Sequence, residues 1–111
     1  GMSPMLSHLV HNGHMEPRAY GQKECLEAGI QFARTEGIMP APEATHAIKG
    51  AVDEALKCKA EGKSKAILFN LCGHGHFDMQ AYMDYFSGNL AEDKFDTEAF
   101  EESMASIPAV N

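Results

Sequence analysis

Residues 65–78 read KAILFNLCGHGHFD. Positions 66–69 are apolar without alternation, which is typical of a strand that is covered on both faces, as in a parallel sheet. The glycines and histidines that follow are residues that end a strand and form a turn. We therefore predict a strand over 65–71, a loop at the edge of a sheet, and an α/β fold.

The rest of the chain has the spacing of apolar residues that predicts helices. These are a short helix after Pro4, a helix over 22–36, one that opens at Pro42 and ends at Gly62, one through Ser87, and a last one over 97–105. Asp78 is expected to cap the fourth helix and Gly88 to end it, with an inward face of Met79, Tyr82, Met83 and Phe86. The prediction is a single domain over 1–111, mostly helical, with a short parallel-type sheet.

One predicted strand needs neighbours. Short extended pieces at 16–20 and 38–41 could pair with 65–71, but a lone parallel-type strand indicates that its partners lie in sequence outside this chain. An unpaired apolar edge tends to pair with another copy. We therefore expect self-association, with a homo-oligomer as the form in solution.

Composition excludes several classes of partner. The chain has 111 residues, a net charge of −7 and nine scattered basic residues, so a nucleic-acid partner is not expected. No apolar run approaches the roughly 18 residues that a membrane span requires. The three cysteines form no CxxC pair, which favours a reducing cytoplasm over a disulfide framework.

The loop after the strand is the strongest candidate for a ligand site. Ligands bind beyond the carboxyl ends of strands in α/β sheets, and Gly73 and Gly75 permit close backbone approach. The alternative is a tight turn that only feeds the next helix. Glu43, directly after the Pro-Ala-Pro turn, is either a favourable acid at a helix start or a carboxylate that is held towards a site.

The two histidines of the loop raise a second alternative. His74 and His76 have a spacing that metal sites use, and Cys72, His46 and Asp78 could complete a ligand set. The simpler interpretation is that these histidines donate hydrogen bonds within the loop, and no metal ligand is assigned.

Two segments together resemble one enzyme family. Residues 35–47, TEGIMPAPEATHA, resemble the EGI-x-PA-x-E-x-x-HA segment of tryptophan synthase β chains, and residues 69–78 resemble their NLSG-x-G segment. The GHGHFD sequence is similar to that of the second type, the β-like group, as are residues 3–9. The resemblance covers residues 3 to 90.

The resemblance implies a pyridoxal-phosphate enzyme of fold type II, which replaces the β-substituent of L-serine with indole to give L-tryptophan. In it Cys72 takes the place of the family serine that faces the pyridine nitrogen, Gly73 lies beside the ring, and Glu43 lies close to it. A thiol with an ordinary pKa of about 8.5 is neutral near pH 7. A neutral partner leaves the ring a weaker electron sink, which suits replacement at Cβ.

Two elements of that family are missing from the sequence. The Schiff-base lysine and the glycine-rich phosphate loop both precede these motifs in the family, and no lysine here lies in a matching motif. We therefore expect a C-terminal portion that needs the missing N-terminal portion as its partner, is inactive alone and binds no cofactor alone. The alternatives are a small self-associating binding module or a metal-binding protein that uses Cys72, His74, His76 and His46.

Overall fold

The computed structural model describes residues 3–90 together with Thr97, Glu101, Ser103 and Ala105. Residues 3–90 contain helices α1 (Pro4–His11), α2 (Gln22–Glu36), α3 (Pro42–Ala60) and α4 (Met79–Ser87), and a single 3₁₀ turn over Gly75–Phe77. The four described residues after 90 are helical. The rest of the helix predicted over 97–105 lies outside the described residues.

Local signals place the helix ends. Gly37 adopts a left-handed conformation with φ of 72°, and its N–H bonds the carbonyl of Ala33, so α2 ends where predicted. Pro42 starts α3 at the first helical position, where its missing N–H costs nothing. Gly88 ends α4 as predicted, with φ of 71°. Asp78 stands before α4, but its side chain makes no capping hydrogen bond, so that part of the prediction is wrong.

The strand predicted over 65–71 is not formed among the described residues. That segment has no regular secondary structure, and the β-bridge that the described part contains joins Pro40 to His74 instead. A strand needs a neighbour for its backbone hydrogen bonds, and among the described residues neither 16–20 nor 38–41 forms a strand that pairs with 65–71. The part of the chain that the structure describes is therefore mostly helical, without the sheet of an α/β fold.

In the described structure, segment 65–71 is not covered on both faces, contrary to the prediction. Ile67 and Phe69 are half-buried, and the Phe69 ring packs edge-on against Phe32 of α2 with ring centroids 6.0 Å apart. Leu68 points the other way and is 97% exposed. Only one face of the segment is therefore packed in the described structure.

The core lies where α2 packs on α3. Cys25, Leu26 and Ala28 of α2 and Ala44 and Ile48 of α3 are all buried, and the two helices pack against each other. Burying a side chain such as Leu26 or Ile48 contributes about 1.5–3 kcal/mol. This helix pair is therefore the frame on which the loops of the candidate site rest.

Helix α4 contributes one residue to that core. Tyr82 is 1% exposed, whereas Met79, Met83 and Phe86 are 43%, 57% and 65% exposed. The prediction that all four face inward is therefore wrong for three of them. The reason is that, within the described residues, α4 makes its main contacts with α2, the 3₁₀ turn and, through Tyr82, Pro40, too little surface to cover a whole apolar face.

Ion pairs join the loop before α2 to α3 and also join α2 to α3. Arg18 pairs with Glu54 at 3.6 Å, and Lys49 with Asp53 at 2.6 Å and Glu24 at 3.9 Å. The hydrogen bond from Lys49 lowers the pKa of Asp53 and raises that of Lys49. Pairs at the surface stabilise little, but they commit Lys49 to protein carboxylates. Among the described residues, no helix combines the length and apolar character needed to cross a membrane.

Candidate functional site

The glycine-rich loop and the Pro-Ala-Pro segment lie against each other. The N–H of Gly75 donates a hydrogen bond to the carbonyl oxygen of Met39 at 2.9 Å. Pro40 and His74 form an antiparallel bridge beside it. Two segments that are more than thirty residues apart, each singled out in the sequence, therefore form one continuous surface.

Two glycines make this contact possible for different reasons. Gly73 has φ of 77°, which side chains rarely adopt, and a Cβ there would also lie 3.2 Å from the Cβ of Ala41. Gly75 is buried, and a Cβ there would lie 2.5 Å from the carbonyl oxygen of Pro40 and 2.9 Å from Cγ of Met39. Gly73 thus gives the turn its shape, and Gly75 lets the two backbones touch.

The side chains predicted to face a ligand are open to solvent. Cys72 is the exposed cysteine, while Cys25 and Cys58 are buried. Glu43 is exposed in the first turn of α3, between the buried residues Ala41 and Ala44. The backbone on both sides of Glu43 is therefore fixed by packing while its carboxylate remains accessible.

A cleft of about 220 Å³ lies beside Glu43, at the N-terminal ends of α2 and α3. Its walls include Gln22, Cys25, Glu43 and His46. A larger cleft of about 480 Å³ is lined by residues of α2 and α4, and neither Glu43 nor Cys72 belongs to it. Of these two clefts, the smaller one therefore lies next to a predicted site residue.

The two loop histidines contact each other. Nδ1 of His74 accepts a hydrogen bond from the N–H of His76 at 3.3 Å, and their rings lie 4.8 Å apart. The ring of His74 thus accepts a hydrogen bond within the loop, where a donor was predicted. The described residues bring no three His, Cys, Asp or Glu side chains together to hold a metal ion, so the ligand set of Cys72, His74, His76 and His46 is not assembled there.

The hydrogen bond between Tyr82 and Pro40 is a contact that the sequence did not reveal. The Tyr82 hydroxyl donates a hydrogen bond to the carbonyl oxygen of Pro40 at 2.6 Å. Burial, and to a lesser extent the charge of Asp78, raises the pKa of Tyr82. Because this pKa is raised on folding, the neutral phenol adds to the free energy of unfolding. That contribution is fully present below the ordinary pKa of about 10, and it is lost as the pH rises through the pKa of the folded state. The hydroxyl therefore remains a donor at neutral pH.

No family model matches the chain, but curated relatives do. It is 61% identical over 90 residues to the tryptophan synthase beta chain 2 of Methanosarcina mazei. The aligned residues are 81% of this chain and 20% of the relative. This chain is homologous to a part of the tryptophan synthase β chains. The chain 2 protein of Aquifex aeolicus is 54% identical over 92 residues, 83% of this chain and 21% of its own. The β chain of Pyrococcus horikoshii is 44% identical over 108 residues, 97% of this chain and 23% of its own.

The family resemblance drawn from residues 35–47 and 69–78 is therefore confirmed, including the second type of β chain. The chain spans about one fifth of the length of these tryptophan synthase β chains. In this chain the two family segments are the ones that Gly75 and Met39 join by their hydrogen bond.

Proposed function

We propose that this chain is the C-terminal part of a tryptophan synthase β-like enzyme of fold type II, whose reaction joins indole to L-serine with pyridoxal phosphate. In this proposal Cys72, Gly73 and Glu43 form the wall beside the pyridine ring of the cofactor. The observation that carries it is the contact between the two family segments, through the Gly75–Met39 hydrogen bond at 2.9 Å. The sheet that would include 65–71 is proposed to form only in the complete enzyme.

The ring side of the cofactor suits the residues that are present. An exposed thiol at Cys72 offers the pyridine nitrogen a weak hydrogen bond. Gly73, in its left-handed conformation, places no side chain next to the ring. When bound, pyridoxal phosphate supplies the electron sink for chemistry at Cα and Cβ of the amino acid, and a neutral partner at the nitrogen keeps that sink moderate.

The phosphate side does not suit the described residues. A phosphate binds at a helix N-terminus with free N–H groups and no negative charge. Each of the three helices around the site has an acid at its start, namely Glu24 in α2, Glu43 in α3 and Asp78 before α4. Glu24 already accepts the N–H of Gly21 at 2.6 Å. We infer that the phosphate loop and the reactive lysine come from the N-terminal part of the enzyme, and that this chain is inactive alone.

Complementation tests the proposal. We expect tryptophan to form when the chain is mixed with pyridoxal phosphate and the N-terminal four-fifths of a related β chain, and not with either piece alone. Within the active mixture, Cys72→Ser should retain activity because it restores the family residue. Cys72→Asp should lose most of it, because a carboxylate would hold a proton on the pyridine nitrogen.

Two results would argue against this proposal. One is a borohydride-stable cofactor adduct on a single lysine of the isolated chain, since that chain is expected to supply no such lysine. The other is equal activity of Cys72→Ser and Cys72→Asp in the mixture, which would remove Cys72 from the ring.

We also propose that the isolated chain self-associates. Leu68 and Phe77 are 97% and 91% exposed, and their burial against a second copy would favour association. Residues 65–71 also lack a paired neighbour in the described part, and such an edge is a template for a second copy.

Light scattering over a range of concentrations tests self-association. We expect Leu68→Lys to shift the chain towards monomer, while Leu56→Lys, on α3 at 58% exposure, serves as the matched control. A clean monomer at high concentration would refute the proposal. Addition of the N-terminal part should also dissociate the oligomer, because both partners would use the same surface.

A further inference from the structure

One buried hydroxyl group connects the parts of the candidate site. Tyr82 of α4 is 1% exposed, and its hydroxyl lies 2.6 Å from the carbonyl oxygen of Pro40. A Cβ on Gly75 would lie 3.2 Å from Cε2 of its ring, and a Cβ on Gly29 of α2 would lie 3.3 Å from its hydroxyl. Tyr82 therefore touches α2, the Pro-Ala-Pro segment and the glycine-rich loop at once.

The bonded groups lie close in sequence to the proposed ring contacts. Pro40 is three residues before Glu43, and the intervening Ala41 is buried. Gly75 is three residues after Cys72, and its N–H bonds the carbonyl of Met39, next to Pro40. A shift at the Pro40 carbonyl would therefore move the loop and the start of α3 relative to each other.

We propose that Tyr82 is a positioning residue, whose hydrogen bond to Pro40 sets the placement of Cys72 relative to Glu43. This inference rests on the proposed function for the roles of Cys72 and Glu43, but the linkage itself does not depend on any cofactor. The hydroxyl is the essential group. A phenylalanine would fill the same space but leave the Pro40 carbonyl without this donor, which permits a test without a cavity.

The test uses the full chain and two readouts. Cys72 is the exposed cysteine, so it can be labelled selectively with a trifluoromethyl reagent and followed by fluorine NMR. Amide exchange measured by NMR reports the Gly75 N–H. In Tyr82→Phe we expect the Gly75 amide to exchange about fivefold to tenfold faster, and the fluorine resonance of the native state to shift or split.

The matched control is Tyr85→Phe. Tyr85 lies on the same helix, is half-buried, and makes a ring contact with Phe86. It should leave both readouts unchanged. If Tyr82→Phe accelerates exchange equally throughout α3 and leaves the fluorine resonance in place, the residue only stabilises the fold and the inference is overturned.

Failure of the proposed function would look different. If wild-type complementation yields no tryptophan, the assignment of the ring wall fails, while the Gly75 and fluorine readouts still decide the linkage. If complementation succeeds, we expect Tyr82→Phe to lower kcat more than it raises KM for L-serine. An unchanged kcat together with unchanged NMR readouts would leave the enzyme assignment intact and remove Tyr82 from it.

Discussion

Gly75→Ala is expected to lower the free energy of unfolding by about 3 kcal/mol, at the upper end of what overpacking costs. The added Cβ would lie 2.5 Å from the carbonyl oxygen of Pro40 and 2.9 Å from Cγ of Met39. Met39 can move its flexible side chain, but Pro40 cannot move its backbone. That carbonyl also accepts the hydroxyl of Tyr82, so a shift would break a buried hydrogen bond.

Urea denaturation followed by circular dichroism measures this effect. Gly50→Ala is the matched control, because its Cβ would meet only ordinary contacts with Tyr20 at 3.8 Å. In the interior of α3 that change should stabilise the chain by about 0.5–1 kcal/mol. Gly75→Ala with the stability of the wild type would mean that the loop is not seated on the Pro-Ala-Pro segment.

The helices could be predicted from sequence because their ends are local. Gly37 and Gly88 each take the left-handed conformation that ends a helix, and Pro42 starts one. These residues have a conformational preference that does not depend on what packs nearby. The bounds of α2 and the start of α3 were accordingly predicted correctly.

The strand predicted over 65–71 is not formed among the described residues, because strand formation depends on a neighbour and is not a local property. The apolar run at 66–69 indicates a segment that prefers burial, but it does not say whether a partner is at hand. Leu68, at 97% exposure, shows a segment with the composition of a buried strand and only one packed face. The same reasoning applies to Met83 and Phe86 of α4, where the pattern defines a face but not what covers it.

The sequence singled out Cys72, Gly73 and Glu43, whose roles stay a prediction, but it did not reveal the hydrogen bond that supports the two segments. The two segments with Glu43 and Cys72 were recognised by sequence, and the structure brings their backbones into contact. The hydrogen bond from Tyr82 to Pro40 spans 42 positions, and no periodicity encodes such a pair. One signal was available: Gly29 lies inside a helical pattern, where glycine costs about 1 kcal/mol relative to alanine and so indicates a packing reason.

Gly29→Ala is the second substitution with a large expected effect, and two terms of opposite sign decide it. Helix propensity and the smaller entropy of the unfolded chain favour alanine by about 1 kcal/mol. Against this, the new Cβ would lie 2.5 Å from Cγ2 of Thr45. Thr45 is fully buried and its hydroxyl bonds the carbonyl of Pro42, so its methyl group cannot rotate away. Overpacking of about 3 kcal/mol outweighs propensity, and we expect a net loss of about 2 kcal/mol.

A double-mutant cycle separates the two terms. Thr45→Ser removes Cγ2 and keeps the hydroxyl, so it removes the clash without breaking the hydrogen bond. Gly29→Ala in the Thr45→Ser background should then be neutral or stabilising, which corresponds to a coupling of about 2 kcal/mol or more between the two positions. Urea denaturation of the four proteins gives the coupling directly. Additive changes would show that Thr45 is not what excludes a side chain at position 29, and the clash would then have to lie with Pro40 or Tyr82, at 3.4 and 3.3 Å. Pro40 and Tyr82 are the partners of the hydrogen bond between α4 and the Pro-Ala-Pro segment. A clash with either of them would therefore indicate that α2 helps to position the candidate site.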